Sequence, residues 1–331
     1  MTAPLPDRAD LLGRVHVVAI PMRVRFRGIT AREVALIDGP AGWGEFGPFP
    51  EYAVPEAARW LASAIEAAYG AWPAPVRESV PINATVPAVG PEAVAGIVAR
   101  FPGCDTVKVK VAEPGQPLGE DVARVAEVRA VMGPRARIRL DANGNWSLAE
   151  AAEALERLGR YDLDYVEQPC ASVRELAALR RSLARRGIRI RIAADESIRK
   201  AEDPLRVARE EAADLVVVKV APLGGVARTL EIVEACGLPA VVSSALDTSI
   251  GLSAGVALAA ALPELAGACG LGTLALMEGD VTTASLRPVG GVLAPGRVAA
   301  DPDLLHRYAA PPPRVAWWHE RVRACLAELT R

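Results

Sequence analysis

From residue 80 onward the chain alternates short apolar runs with longer segments rich in Ala, Leu, Glu and Arg. The apolar runs cover 80–86, 105–111, 138–141, 163–167, 188–195, 214–220, 239–244 and 271–277. Each is short enough for a strand buried on both faces. The segments between them, at 120–132, 148–158, 173–186, 204–211, 226–236 and 250–261, have the composition and length of helices. Strands alternating with helices predict a parallel sheet with right-handed crossovers. Eight such units in about 200 residues predict an α/β fold, a closed (β/α)8-type barrel. An open doubly wound sheet would carry a Gly-rich phosphate loop after its first strand, and this chain has none.

The first 79 residues follow another pattern. Alternating apolar and polar positions over 15–26 and 32–37 predict antiparallel strands. A turn at Gly39-Pro40 leads into Gly42-Trp43-Gly44-Glu45, and a helix is expected over 55–69. The expected organisation is an N-terminal α+β lobe (1–79), a barrel (80–280) and a C-terminal segment (281–331) that returns to the lobe. That last segment ends in an amphipathic helix after Gly290-Gly291, Pro295-Gly296 and the prolines at 311–313. The weakly charged stretch 253–277 is interrupted by Pro263 and Glu264, so it reads as a buried helix followed by a buried strand rather than a membrane span.

Composition narrows the function. The chain has 331 residues, 51% of them hydrophobic, and its 38 basic residues nearly balance 40 acidic ones. No net field favours nucleic acid or an anionic membrane, which leaves a small molecule as the expected partner. Cys104, Cys170, Cys236, Cys269 and Cys325 are scattered, with no metal-binding spacing, and read as reduced thiols. Residues 1–12 lack the apolar centre of an export signal, so a cytoplasmic location is expected. Only four of the basic residues are lysines, namely Lys108, Lys110, Lys200 and Lys219. Arg cannot lose its proton at working pH, so lysines set into apolar strands of an Arg-rich chain suggest sites that need a titratable amine.

Three successive predicted strands end in a carboxylate: Asp141 in Leu140-Asp141-Ala142-Asn143, Glu167 in Val166-Glu167-Gln168-Pro169, and Asp195 in Ala194-Asp195-Glu196-Ser197. Spacings of 26 and 28 residues, each one strand-plus-helix unit, place all three at the same barrel mouth. Close together they repel one another unless a hard divalent cation neutralises them. All-oxygen ligation points to Mg²⁺, with Mn²⁺ as the natural replacement. Capping of the helices that follow would explain one such carboxylate more simply than three in register. Lys108 and Lys110 alternate on one face of the preceding strand, and Lys219 closes the sixth, which puts amines on opposite sides of the mouth. A cation bound to a substrate carboxylate and a lysine that takes the α-proton together make enediolate chemistry. Ser243 and Ser244 at the seventh strand end, and the Gly224-Gly225 pair after Lys219, are further candidates for contacting a substrate carboxylate. His16, His306 and His319 lie outside the predicted barrel strands, which argues against His-based catalysis.

These motifs resemble the enolase superfamily in its muconate-lactonising branch. The resemblance spans nearly the whole chain and includes Lys108-x-Lys110, Asp141-Ala142-Asn143, Glu167-Gln168-Pro169, Asp195-Glu196-Ser197, and Lys219 with Gly224-Gly225. The run Gly42-Trp43-Gly44-Glu45-Phe46-Gly47-Pro48-Phe49 is similar to the capping-domain signature of that branch. Within the branch, the Arg25-Phe26-Arg27-Gly28 loop and Ser243-Ser244-Ala245-Leu246-Asp247 look like the actinobacterial family of o-succinylbenzoate synthases. The resemblance implies an enolase-like, modified barrel whose capping domain is completed by the C-terminal tail. It also implies a monomer that eliminates water from a cyclohexadiene carboxylate in menaquinone biosynthesis. Asp141, Glu167 and Asp195 would then hold Mg²⁺, Lys110 would handle the α-proton, Lys219 would stabilise the enediolate, and Lys108 would tune its neighbour. Asn143, Ser243, Ser244, Gly224 and Arg25 are the expected substrate contacts. With both outer lysines present, racemisation of N-acylamino acids or dipeptides is the alternative within enzymes, and a non-catalytic binding barrel is the alternative outside them.

Overall fold

The computed structural model describes residues 5–26, 28–199 and 203–331; Arg27 and Lys200 lie outside them. After a short helix, Arg8–Gly13, comes a three-stranded antiparallel sheet, β1 (Val15–Phe26), β2 (Ile29–Gly39) and β3 (Gly42–Phe46), in the order β1-β2-β3. A helix, α1 (Val54–Tyr69), follows. Its apolar face buries Trp60, Leu61, Ala64, Ile65 and Ala68.

The barrel strands are β4 (Ala84–Val86), β5 (Thr106–Lys110), β6 (Arg137–Asp141), β7 (Leu163–Glu167), β8 (Arg191–Ala194), β9 (Leu215–Val218) and β10 (Ala240–Val242). All neighbours pair in parallel, in the order β10-β9-β8-β7-β6-β5-β4. The helices between them include α2 (Leu118–Met132), α3 (Leu148–Leu158), α4 (Val173–Arg185), α5 (Val226–Cys236) and α6 (Ser249–Ala261). Capping boxes start two of them: Ser147 with Glu150 at α3 and Ser172 with Glu175 at α4. Each satisfies backbone N–H groups that would otherwise be orphaned.

The expected eighth strand at 271–277 is a correction. Thr273–Leu276 forms a 3-10 turn, and the closure is made just upstream by Cys269 and Gly270, which bridge in parallel to Ile82 and Ser243. Cys269 donates its N–H to Pro81 O at 2.7 Å, and Gly270 donates to Val242 O at 2.8 Å. The ring therefore closes through seven strands and a two-residue link. Periodicity cannot tell a buried turn from a buried strand in a short apolar run, and the glycines at 270 and 272 break the extension.

Strand alternation divides the barrel into two apolar zones. Val107, Val109, Ile138, Leu140, Val166, Ile192, Val216, Val218 and Val242 point outward into the main core. Tyr165, Ala193, Leu215, Val217 and Val241 form a small separate cluster. Residues two further along the same strands carry the chemistry: Glu167 after Tyr165, Asp195 after Ala193, Lys219 after Val217. In the same zone Arg139, fully buried, donates to Asp164 Oδ2 at 2.8 Å and stacks over the Tyr165 ring at 4.7 Å. The chain then returns to the first sheet, where α7 (Pro312–Leu329) packs on α1. Trp318 meets Phe46 edge-on at 5.7 Å and donates to Glu33 Oε2 at 3.0 Å, while Arg314 pairs with the same carboxylate at 2.7 Å. Among the described residues no helix is long and apolar enough to cross a membrane, and the five cysteines are free.

Candidate active site

Parallel register carries the site. Lys110 pairs with Asp141 and Asp141 with Glu167, so consecutive strand ends bring these side chains to one level. A cleft enclosing about 540 Å³, part of it open to solvent, lies above them. It is lined by Lys108, Lys110, Asp141, Asn143, Lys219, Ser243 and Ser244 among the expected residues, together with Tyr52, Trp60, Thr85, Arg199, Leu246 and Thr273. Glu167 and Asp195 sit directly beneath, fully buried.

The three carboxylates are closed on cations. Lys108 Nζ lies 3.1 Å from Glu167 and 3.1 Å from Asp141; Lys110 Nζ donates to Asp141 Oδ2 at 2.5 Å and to Asn143 Oδ1 at 2.6 Å. Lys219 pairs with Asp195 Oδ2, and Arg199 with Asp195 Oδ1 at 3.0 Å. Among the described residues no three acidic, His or Cys side chains are gathered closely enough to hold a metal ion as they stand. The donor set nonetheless suits a hard dication: it is all oxygen, and burial followed by Asp141 repulsion pushes the Glu167 carboxyl up to about 7.

Burial and neighbouring charge split the two β5 lysines. Burial opposes the charge on Lys108, but Glu167 and Asp141 outweigh it and hold its pKa above the usual lysine range. Lys110 is shifted the other way, by burial first and then by the positive charge of Lys108, against the pull of Asp141. A lowered amine beside a firmly protonated one is the arrangement a general base requires. Burial would raise Asp195, yet Lys219 and Arg199 bring it down to about 2.

Two expected contacts are not brought into the cleft. Arg25 is exposed on β1 and does not line it. Gly224, with φ of 94°, ends the short helix Val220–Leu223 and also lies outside the lining. The close approach foreseen at the glycine pair is made instead by Glu66 of α1: a Cβ on Gly225 would stand 2.6 Å from its carboxylate. Glu66 accepts from Val226 N and Ala227 N, capping α5 from the neighbouring lobe.

Other site residues escaped the reading of the sequence. Gln168, fully buried with φ of 38°, accepts from Asp195 N at 3.0 Å and Ser197 N at 3.2 Å, and donates to Ser197 Oγ and Cys170 O. Arg199 ties Asp195 to Glu196 and reaches Tyr52 Oη at 3.3 Å. Thr85 Oγ1 is buried on the cleft wall without a protein partner among the described residues. The only available signal for Gln168 was its place beside Glu167, and for Arg199 its position one helical turn after Asp195.

A seven-stranded parallel barrel whose strand ends converge acids and amines beneath a lobe built from both chain ends defines an enolase-like barrel protein. Residues 92–298 match the enolase C-terminal domain-like family and residues 17–68 the enolase N-terminal domain-like family, and the chain belongs to this superfamily. Within it the chain is similar to the o-succinylbenzoate synthase of Mycolicibacterium smegmatis, 60% identical over 328 residues that cover 99% of each chain. Its fold is also similar to 2-chloromuconate cycloisomerase from Rhodococcus opacus, with TM-score 0.74, 21% identity, and 90% and 98% of the two chains covered. N-succinyl Arg/Lys racemase from Bacillus cereus gives TM-score 0.72 at 19% identity, covering 90% and 97%.

Proposed function

We propose that this chain is an o-succinylbenzoate synthase that dehydrates 2-succinyl-6-hydroxy-2,4-cyclohexadiene-1-carboxylate to 2-succinylbenzoate in menaquinone biosynthesis. The observation that carries the reading is the pair of amines, Lys110 and Lys219, lining one small cleft above three buried carboxylates. Full-length similarity to a synthase selects the substrate. Asp141, Glu167 and Asp195 would hold Mg²⁺, with Mn²⁺ able to replace it. When bound, the ion supplies positive charge against the substrate carboxylate as a second negative charge develops there. Lys110 removes the α-proton, the C–O bond to the β-hydroxyl breaks, and the same amine returns the proton to the departing oxygen, so water leaves with no net proton change. Lys219 stabilises the enediolate, Lys108 keeps Lys110 acidic, and Asn143 orients Lys110 through the 2.6 Å contact. Thr85, Ser243 and Ser244 would contact the substrate from the cleft wall.

Conversion of the purified cyclohexadiene carboxylate to the aromatic product, followed by ultraviolet absorbance with and without Mg²⁺, tests this reading. Racemisation of N-acylamino acids is the second reading, favoured by the presence of both amines in the same cleft. No dehydration alongside efficient racemisation would reverse the ranking. The protein is further proposed to act as a monomer in the cytoplasm, which sedimentation and cell fractionation check.

A further inference from the structure

The cleft wall formed by the loop after β10 is anchored from two sides. On the barrel side Ser243 N donates to Val218 O at 2.8 Å, and Ser244 Oγ donates to Gly270 O at 2.7 Å. The rest of the loop is held from the first sheet. Arg32 on β2, only 2% exposed, donates Nε–H to Leu246 O at 3.0 Å and a second N–H to Gly47 O, with its guanidinium 4.7 Å above the Phe49 ring. Glu45 on β3, also buried, accepts from Thr248 N at 3.1 Å, Thr248 Oγ1 at 2.5 Å and Gly251 N at 3.1 Å. Between these anchors Leu246 holds φ of 63°, a left-handed conformation that a leucine adopts only when its surroundings impose it. Its side chain lines the cleft beside Ser244 and Ala245.

The surroundings are shaped for this clamp. A Cβ on Gly47 would lie 2.6 Å from the Arg32 guanidinium, and one on Gly251 would lie 2.9 Å from the Glu45 carboxyl carbon. Val34 Cγ1 closes the same space at Gly47 and Asp247 Cβ at Gly251, each at 2.8 Å, so neither position takes a side chain. A buried guanidinium and a buried carboxylate are costly unless fully bonded, so both keep the loop in one conformation.

We propose that Arg32 and Glu45 are positioning residues that set the shape of the substrate cleft from the capping lobe, by fixing Leu246 and Thr248. Neither touches the reacting atoms. The claim rests on the reading of the cleft as a substrate site, and its consequence is that selectivity among carboxylate substrates is written partly in β2 and β3. Arg32→Lys keeps the charge but loses the fork that reaches the Leu246 and Gly47 carbonyls together. Gly47→Ala crowds the guanidinium, and Val34 beside it, without removing the charge. Both variants are expected to raise KM about tenfold, with kcat changed less than about twofold, and to lower amide-exchange protection in peptides covering 243–251 but not in those covering β6 and β7. Wild-type turnover of the cyclohexadiene carboxylate is measured alongside, so a failed substrate assignment shows in the parent, whereas the exchange pattern reads the clamp whatever the substrate. Unchanged protection over 243–251 in both variants, or a fall in kcat at constant KM, overturns the proposal. If Arg32→Lys does not fold, the milder Gly47→Ala decides by the same two readouts.

Discussion

Gln168→Met isolates a single buried polar hub at nearly constant volume. Both side chains are unbranched at Cβ, so the strain of the 38° φ is common to the two proteins and cancels. The wild-type amide makes four bonds, to Asp195 N, Ser197 N, Ser197 Oγ and Cys170 O, and is fully buried. The Ser197 hydroxyl, which accepts from the amide, can rotate to another partner, but the two backbone N–H groups and the Cys170 carbonyl cannot. Leaving a buried backbone group unpaired costs roughly 1–3 kcal/mol, and the three share one small region, so a total of roughly 3–6 kcal/mol is expected. That is a large share of the roughly 5–15 kcal/mol that holds a typical domain folded. Urea unfolding of metal-free protein reads it as a lower midpoint at similar slope. Asp195 also loses the bond that fixes its backbone, so Mg²⁺ affinity measured by calorimetry should fall roughly 10–100-fold. A stability loss below about 1 kcal/mol with unchanged affinity would refute the reasoning.

Three further outcomes are expected. Lys110→Arg keeps the charge but not a removable proton, and should lower kcat by roughly 10²–10⁴-fold in steady-state assays, with near-normal turnover contradicting its role. Because Lys110 acts as a neutral base with a lowered pKa, kcat/KM should rise with pH along a limb below the ordinary lysine value near 10.4; Lys108→Met removes the neighbouring positive charge and should move that limb to higher pH. The raised Glu167 carboxyl holds a proton in the folded metal-free protein up to about pH 7 that the unfolded chain releases near 4.5, so this group makes stability fall as pH rises across that window. A bound cation must displace that proton, so the Mg²⁺-induced rise in thermal midpoint should grow from pH 5 to pH 7.5, and a rise independent of pH would count against Glu167 as a ligand.

Much of this protein was legible along the chain because its repeats are local. Each strand needs only a short run of Val, Ile and Leu, and each helix only its own face and cap, so α3 and α5 fall at the expected 148–158 and 226–236. The convergence of Lys108, Lys110, Asp141 and Lys219 on one cleft follows from the strand period and the repeat spacing alone. The eighth strand failed because its neighbours, not its own residues, decide whether an apolar run extends or turns: Gly270 bonds to Val242 and then leaves the ring. Arg25 and Gly224 lie outside the cleft lining for a related reason. A position beside a motif says nothing about which side of the backbone a cavity will open on.

What the sequence determined by itself is therefore the set of chemical groups and the level at which they meet, since both follow from periods of two and of one strand-helix unit. The tertiary structure alone decided how those groups are held. Gln168 bonds to Asp195 and Ser197 across two strand ends, Glu66 caps a helix 160 residues away, and Arg32 reaches Leu246 over 214 residues. Such pairings have no period to read. They form because a buried polar group must find a partner wherever the packed lobe and barrel place one.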